Sequence, residues 1–194
     1  MTKKRDYMIH SVRFIAVLDT NVIYPIISRD ILFWFAHYDL YTPKWSKNIF
    51  EEWKDVMIRK GVNPEEASKR VDKANLAFPD ALVQYYDGLI ANLELPDEDD
   101  RHVLAAAIKT NANIIVTNNL KDYPEDYLQS FGIKAKNADD FLTDIIDLNQ
   151  DQAIAAFKEM VLNKKNPPLD EFDVLNQFRR MGLKDTANYL HTLL

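Results

Sequence analysis

The chain lacks cysteine altogether and has only 4 glycines among its 194 residues. The absence of cysteine excludes a disulfide scaffold, a thiolate metal site and a cysteine nucleophile, and it fits a reducing compartment. Hydrophobic residues make up 47% of the sequence, enough for a packed core and too many for a disordered chain. The length predicts one main domain with a small addition.

Long hydrophobic runs and an excess of positive charge are also missing. The N-terminal stretch is basic, but its apolar run from Phe14 to Leu18 is too short for a signal peptide, and no segment approaches the length of a membrane span. We therefore expect a soluble cytoplasmic protein. The net charge of -6 argues against a passive RNA coat, but not against a nuclease whose carboxylates are neutralised by a metal.

Apolar runs of strand length alternate with segments of helical periodicity, which predicts an α/β domain with a mainly parallel sheet. Ser46 is expected to cap one helix, and the segment 63–66 is expected to start the next, with Pro64 in its first turn. The five predicted strands are Phe14–Leu18, Leu40–Thr42, Ile90–Leu95, Asn113–Thr117 and Gly132–Ala135.

The composition changes after about residue 148, and we divide the chain into a main domain, 1–148, and a helical C-terminal extension, 149–194. A helix is predicted over Gln150–Leu162, and a second helical segment follows a proline-containing break. We hypothesise that basic residues of the extension help hold RNA or a partner: Lys164, Lys165, Arg179 and Arg180.

Polar residues stand directly after two of the predicted strands. Asp19 follows the first, and Asn118 and Asn119 follow the fourth, with Asp122 three residues further on. Sites in parallel sheets form beyond the carboxyl ends of the strands, so adjacent strand ends would bring these residues into one crevice. Taken alone, Asp19 could equally be a turn residue or a helix cap.

Asp100 is the acidic residue that helical periodicity directs inward. It stands at the N-terminal end of a buried stripe formed with Val103, Leu104, Ala107 and Ile108. Capping of a helix start explains its acidic neighbours Asp97, Glu98 and Asp99. It explains Asp100 less well, because an inward carboxylate needs a partner or a metal.

A helix earlier in the chain also carries candidate acids, because Glu51 and Glu52 stand side by side in it. At 100° per residue, Glu52 lies roughly 100° from the centre of the apolar face and Glu51 roughly 160° away, in solvent. Glu52 is therefore the better candidate for a crevice, although an ordinary surface glutamate is the alternative.

Carboxylates brought together repel one another unless a cation neutralises them. Oxygen ligands with few histidines suit Mg²⁺ or Mn²⁺ rather than Zn²⁺. Such an ion can orient a water molecule, lower its pKa and stabilise charge on a phosphate under attack.

Over about residues 12 to 145 the chain resembles the PIN-domain nucleases, in particular the VapC-like branch of toxins from toxin–antitoxin pairs. The tail resembles the helical C-terminal extension of one subgroup of these toxins. The resemblance implies a three-layer α/β/α fold and a metal-dependent endoribonuclease. The matching elements are Val17–Val22, Glu52, Asp97–Ile108 and Ile114–Thr117.

The resemblance also implies roles and partners. Asp19, Glu52 and Asp100 would be metal ligands for Mg²⁺ or Mn²⁺. Thr20 or Asn21, together with Thr117, would orient ligands or water. RNA would be the substrate, an antitoxin protein would be a partner, and the chain could form a homodimer.

One position departs from the family pattern. The family usually has an acidic residue where this chain has Asn119, so either Asp122 supplies the fourth carboxylate or Asn119 is a weak neutral ligand. This leaves a catalytically weak PIN-like module, binding RNA or protein, as an alternative. A phosphatase of the haloacid dehalogenase type with Asp19 as nucleophile is a second alternative, but such enzymes carry an aspartate where this chain has Asn21.

Overall fold

A computed structural model describes residues 14–194; the rest of the N-terminal stretch considered for a signal peptide lies outside this range. Within it, five strands form one sheet in the order β3-β2-β1-β4-β5, with every neighbouring pair parallel. The strands are β1 (Ile15–Leu18), β2 (Thr42–Ser46), β3 (Leu82–Val83), β4 (Ile114–Val116) and β5 (Lys134–Lys136).

Helices flank this sheet, which confirms the predicted three-layer α/β/α fold with additional C-terminal helices. One of them, α6, packs across β1, β2 and β4 at the centre. The helices are α1 (Thr20–Ile23), α2 (Ile26–His37), α3 (Lys47–Arg59), α4 (Pro64–Ala77), α5 (Asp87–Ile90), α6 (Arg101–Lys109), α7 (Glu125–Gln129), α8 (Ala138–Leu148), α9 (Gln150–Leu162), α10 (Glu171–Arg180) and α11 (Lys184–Leu193).

The predicted cap at Ser46 is confirmed, and Asn63 caps the helix predicted to start there. The side chain of Ser46 accepts a hydrogen bond from the backbone N–H of Ile49 at 3.2 Å, and that of Asn63 accepts from Glu65 at 2.9 Å. These bonds satisfy N–H groups that have no partner within the helix itself. They start α3 and α4 where the sequence places them.

The second strand was predicted two residues too early. It runs over Thr42–Ser46 and contains Pro43, which sequence reasoning placed after the strand. The backbone N–H of Thr42 donates to Phe14 on the β1 side, and that of Trp45 donates to Ala81 on the β3 side. The backbone nitrogen of Pro43 therefore faces the side of the sheet on which β3 lies, at a point where β3 has not yet begun. Its missing N–H removes no hydrogen bond between the strands.

The predicted third strand, Ile90–Leu95, is wrong. Ile90 ends the short helix α5, and the residues after it form a turn and an irregular segment. Leu93 and Leu95 are buried, so their apolar character reflects a loop that packs against the core and not a strand. The actual strand, Leu82–Val83, has two residues, which is too short for any periodic signal.

The C-terminal extension is helical, as predicted. Its first helix, α9, has the predicted bounds, and the final segment divides at Gly182 into α10 and α11. Lys164 forms an ion pair with Asp30 of α2, and Arg179 donates to two asparagine side chains of the extension itself. Two of the four basic residues that we expected to hold RNA are thus already engaged within the protein.

None of the helices within residues 14–194 combines the length and apolar character needed to cross a membrane.

The start of α11 yields a prediction about stability. The carboxylate of Asp139 accepts the backbone N–H groups of Asp185 and Thr186 at 3.0 and 2.8 Å, and so caps a helix that lacks a side-chain cap of its own. Asp139→Ala should lower the free energy of unfolding in a urea titration by about 1–2 kcal/mol. Asp140→Ala is the control, because Asp140 lies in the same first turn of α8 but its side chain bonds only Asn137 of that helix, and this variant should cost less than Asp139→Ala. Equal losses would contradict the capping role.

Candidate active site

Asp19 stands where β1 ends, and its carboxylate joins the ends of the two central strands. Thr20 donates its backbone N–H to Oδ1 at 2.6 Å. The Asn21 amide and the Thr117 hydroxyl, from the start of α1 and the end of β4, donate to Oδ2 at 2.5 and 2.7 Å. Asp19 is 4% exposed. Burial raises its pKa, and these hydrogen bonds oppose the rise.

Glu52 reaches the same edge from α3. Its Oε2 accepts from the hydroxyl of Thr20 at 2.6 Å, and its Oε1 lies 2.7 Å from Nε2 of His102. Burial alone would raise the pKa of Glu52, but the hydrogen bonds from His102 and Thr20 outweigh it and lower the pKa. Glu51, by contrast, is exposed and pairs with Lys47 on the surface. The two glutamates point as the helical geometry predicts.

Asp100 enters the site from the turn before α6. Its Oδ2 is buried, yet it has no hydrogen-bond partner within residues 14–194. Burial, followed by the negative charges of Asp19, Asp97 and Asp122, raises its pKa to about 7. An inward carboxylate without a partner is what the helical stripe predicted, and it leaves an oxygen free for a cation.

Asp122 lies close to Asp100. Oxygens of Asp97, Asp100 and Asp122 all come within 4.8 Å of one another. Asp122 is 8% exposed, and it accepts a hydrogen bond from the side chain of Asn119. Asn119 thus stands beside the cluster as a donor to Asp122. Asp19 and Glu52 do not belong to this close group.

The ring of Tyr123 shows how near the two sets of carboxylates are. Tyr123 is 3% exposed. Burial raises the pKa of its hydroxyl, and the charges of Asp19, Asp100 and Glu52 raise it further. The approach of the hydroxyl to the Asp100 carboxylate also raises this pKa, although the geometry of the two groups does not meet that of a hydrogen bond. The three acids expected as ligands therefore share one neighbourhood around this ring.

Sequence reasoning missed three residues of this site. Asp97 was explained as a cap, and its side chain does accept from the N–H of Asp99, but it also belongs to the acidic cluster. His102 was not considered at all, and it bonds Glu52. Ser46 was recognised only as a cap, and its hydroxyl lies 3.3 Å from Nδ1 of His102.

A parallel sheet with carboxylates gathered beyond its central strand ends is the arrangement expected of a metal-dependent nuclease. Residues 15–121, more than half of the chain, match the family described as "PIN domain", and the chain belongs to that family. Residues 138–192 match a second family, described as "VapC50 C-terminal domain".

A curated protein of Mycobacterium tuberculosis, "Putative ribonuclease VapC50", is 42% identical to the chain over 91 residues. The matched region covers 47% of this chain and 53% of that protein, so the chain spans about half the length of the relative. No solved structure matches the chain.

The raised pKa of Asp100 predicts how stability depends on pH without metal. Because the pKa in the folded state is about 7, against 3.8 ordinarily, the folded protein binds more protons than the unfolded chain between these values. Stability is therefore lost as the pH rises through this window. In EDTA, Asp100→Asn should melt higher than the wild type at pH 8, and the gap should close towards pH 4.

Asp99→Asn is the matched control, because Asp99 is exposed one position earlier. Its melting temperature relative to the wild type should stay constant over the same pH range. If the difference in melting temperature between Asp100→Asn and the wild type is also constant over this pH range, the surroundings of Asp100 do not destabilise its charged form.

Proposed function

We propose that the chain is a metal-dependent endoribonuclease that hydrolyses phosphodiester bonds of RNA. The observation that carries the proposal is the acidic cluster in a PIN-domain fold, where carboxylate oxygens of Asp97, Asp100 and Asp122 lie within 4.8 Å of one another. Oδ2 of Asp100 is also buried without a hydrogen-bond partner among residues 14–194. Such a cluster repels itself and is stabilised when a cation binds. The printed name of the mycobacterial relative supports RNA as the substrate.

The donor set fits Mg²⁺ or Mn²⁺, because it consists of carboxylate oxygens. Asp100 and Asp122, with Asp97, would hold the ion, and Asp19 and Glu52 would be the further acids available to it at this edge of the sheet. When bound, the ion supplies a polarised water molecule and neutralises charge on the phosphate.

Asp19 has room for a further ligand. An ionised carboxylate offers about four acceptor positions. Three are taken by Thr20, Asn21 and Thr117, so one remains. Asn21 also donates to Thr117 at 2.9 Å, so the two side chains that donate to the same Asp19 oxygen are bonded to each other. We assign Asn21 and Thr117 the role of orienting Asp19.

Glu52 has a different role in this proposal. Its two oxygens accept from Thr20 and bond His102, while 43% of its side chain remains exposed. It is thus fixed in position yet open to solvent, as required of a group that orients a water molecule beside the phosphate.

The wider biological role is also proposed. The resemblance of the chain to the VapC-like toxins supports a toxin that acts in the cytoplasm and is neutralised by an antitoxin protein, and the match to a ribonuclease named VapC50 agrees with it. The division into a nuclease domain, 1–148, and a helical extension, 149–194, remains part of this proposal. A homodimer is compatible with it.

The deciding experiment is cleavage of single-stranded RNA by the purified protein with Mg²⁺, with Mn²⁺ and with EDTA. Cleavage should require a divalent ion, and Mn²⁺ should raise the melting temperature by binding the folded state. RNA binding without cleavage in either metal would instead establish the catalytically weak module, which the substitution of an acid by Asn119 favours.

The two adjacent glutamates provide a matched pair. Glu52→Gln should lower kcat by about 100-fold, because it removes a charge held at the site. Glu51→Gln should leave kcat nearly unchanged, because its surface ion pair with Lys47 contributes little. Steady-state cleavage of a labelled RNA measures both. Equal losses would remove Glu52 from the site.

The missing family acid is tested at Asp122 and Asn119. Asp122→Asn should abolish metal-dependent cleavage, because it removes a buried carboxylate from the cluster with Asp97 and Asp100. Asn119→Asp should not restore the loss in the double variant, because Asn119 lies beside the cluster as a donor. Mn²⁺ titration of the melting temperature gives a second measure. Normal cleavage by Asp122→Asn would show that Asp122 is not a ligand.

A further inference from the structure

The imidazole of His102 connects the capping residue of α3 with the carboxylate of Glu52. Its Nε2 lies 2.7 Å from Glu52 Oε1, and its Nδ1 lies 3.3 Å from Ser46 Oγ. His102 is 6% exposed and Ser46 is fully buried, so water does not compete freely for the bond between them. The three side chains come from α6, α3 and the end of β2.

Counting protons fixes the tautomer of this ring. Ser46 Oγ already accepts the backbone N–H of Ile49. Within residues 14–194, the Ser46 hydroxyl has no acceptor for its own proton other than His102 Nδ1. Nδ1 therefore accepts, and Nε2 carries the ring proton and donates it to Glu52. This arrangement, with Nε2–H as donor and Nδ1 as acceptor, satisfies every polar atom of the three side chains, as burial requires.

The opposite tautomer would be unfavourable. With the proton on Nδ1, the lone pair of Nε2 would face the carboxylate oxygen of Glu52 at 2.7 Å. The buried proton of Ser46 would also lose its acceptor, and an unpaired buried hydroxyl is costly. Glu52 and Ser46 thus favour the same tautomer of His102 from opposite sides of the ring.

The same ring relates the two groups of acids. His102 follows Asp100 by two residues at the start of α6, so its bond to Glu52 ties α3 to the segment that carries Asp100. Glu52 has a long, flexible side chain on a helix and would otherwise be held by Thr20 alone. Its distance from the acidic cluster therefore depends on His102.

We propose that His102 is a positioning residue, which holds the Glu52 carboxylate in place for RNA hydrolysis. Ser46 supports the tautomer of His102 that this contact requires. This inference rests on the nuclease function proposed above. The competing explanation is that His102 is a buried polar residue that contributes only to folding.

Two substitutions of similar size separate these explanations. In His102→Gln the amide nitrogen can take the place of Nε2 and donate to Glu52, whereas His102→Leu has no donor. His102→Leu should lower kcat by about 10- to 100-fold with KM little changed, and His102→Gln should recover most of that loss. A purely structural role predicts that kcat follows the melting temperature in both variants. If both variants have a kcat close to that of the wild type, the proposal is overturned.

A double-mutant cycle tests whether His102 acts through Glu52. Glu52→Gln combined with His102→Leu should cleave no more slowly than Glu52→Gln alone, because the carboxylate charge that His102 positions is already lost in the single variant. Multiplicative losses in the double variant would show that His102 acts independently of Glu52.

The tautomer can be measured without any cleavage. Nitrogen-15 NMR of the ring should show a protonated Nε2 and an unprotonated Nδ1 for His102 in the metal-free protein. The signal is assigned among the 4 histidines by its loss in His102→Gln. In Ser46→Ala the preference for Nε2–H should weaken. A proton on Nδ1 in the wild type would overturn the assignment.

The cleavage assay keeps the two proposals apart. Wild-type protein that cleaves RNA, together with His102→Leu that cleaves equally well, overturns only the role of His102. Wild-type protein that cleaves no RNA overturns the nuclease function, and with it any positioning role of His102 in hydrolysis.

Discussion

The carboxylate of Asp19 is the contact on which the rest of the site depends. It accepts from the first residues of α1 and from Thr117 at the end of β4, so it joins the two central strands where they leave the sheet. The same α1 residue, Thr20, also donates to Glu52 of α3. Because one helix start contacts both acids, the crevice at the sheet edge has a fixed shape before any ligand binds.

The acids at this edge differ in how their charge is balanced. Asp19 and Glu52 are held by hydrogen-bond donors of the protein, which oppose the cost of burying their charge. Asp100 lacks such a donor on one oxygen, and its neighbours Asp97 and Asp122 add repulsion. The protein thus stabilises the charge of Asp19 and Glu52 itself and leaves Asp100 without a compensating donor, which is the feature on which the proposed cation site rests.

The sequence predicted the fold best where periodicity was long. The strand that ends directly before Asp19 and the helix Gln150–Leu162 are confirmed almost to the residue. The strand Leu82–Val83 was missed because two residues carry no alternation, and buried leucines after Ile90 imitated a strand instead. Pro43 was predicted to end a strand. The sequence alone does not show which side of the sheet its nitrogen faces, because that depends on the pairing of β2 with β3.

The site was predictable where a single helical face decided it, as for Asp100. His102 escaped this argument because α6 is buried on nearly all sides, including the alanines opposite the predicted stripe. In a helix that is buried all round, periodicity does not distinguish a core position from a contact with another element. A histidine inside such a helix nevertheless needs two partners for its ring nitrogens, and the only way to satisfy both is to meet polar groups of neighbouring elements. Here those groups are Ser46 and Glu52, and the packing of α6 against β2 and α3 brings them to the ring.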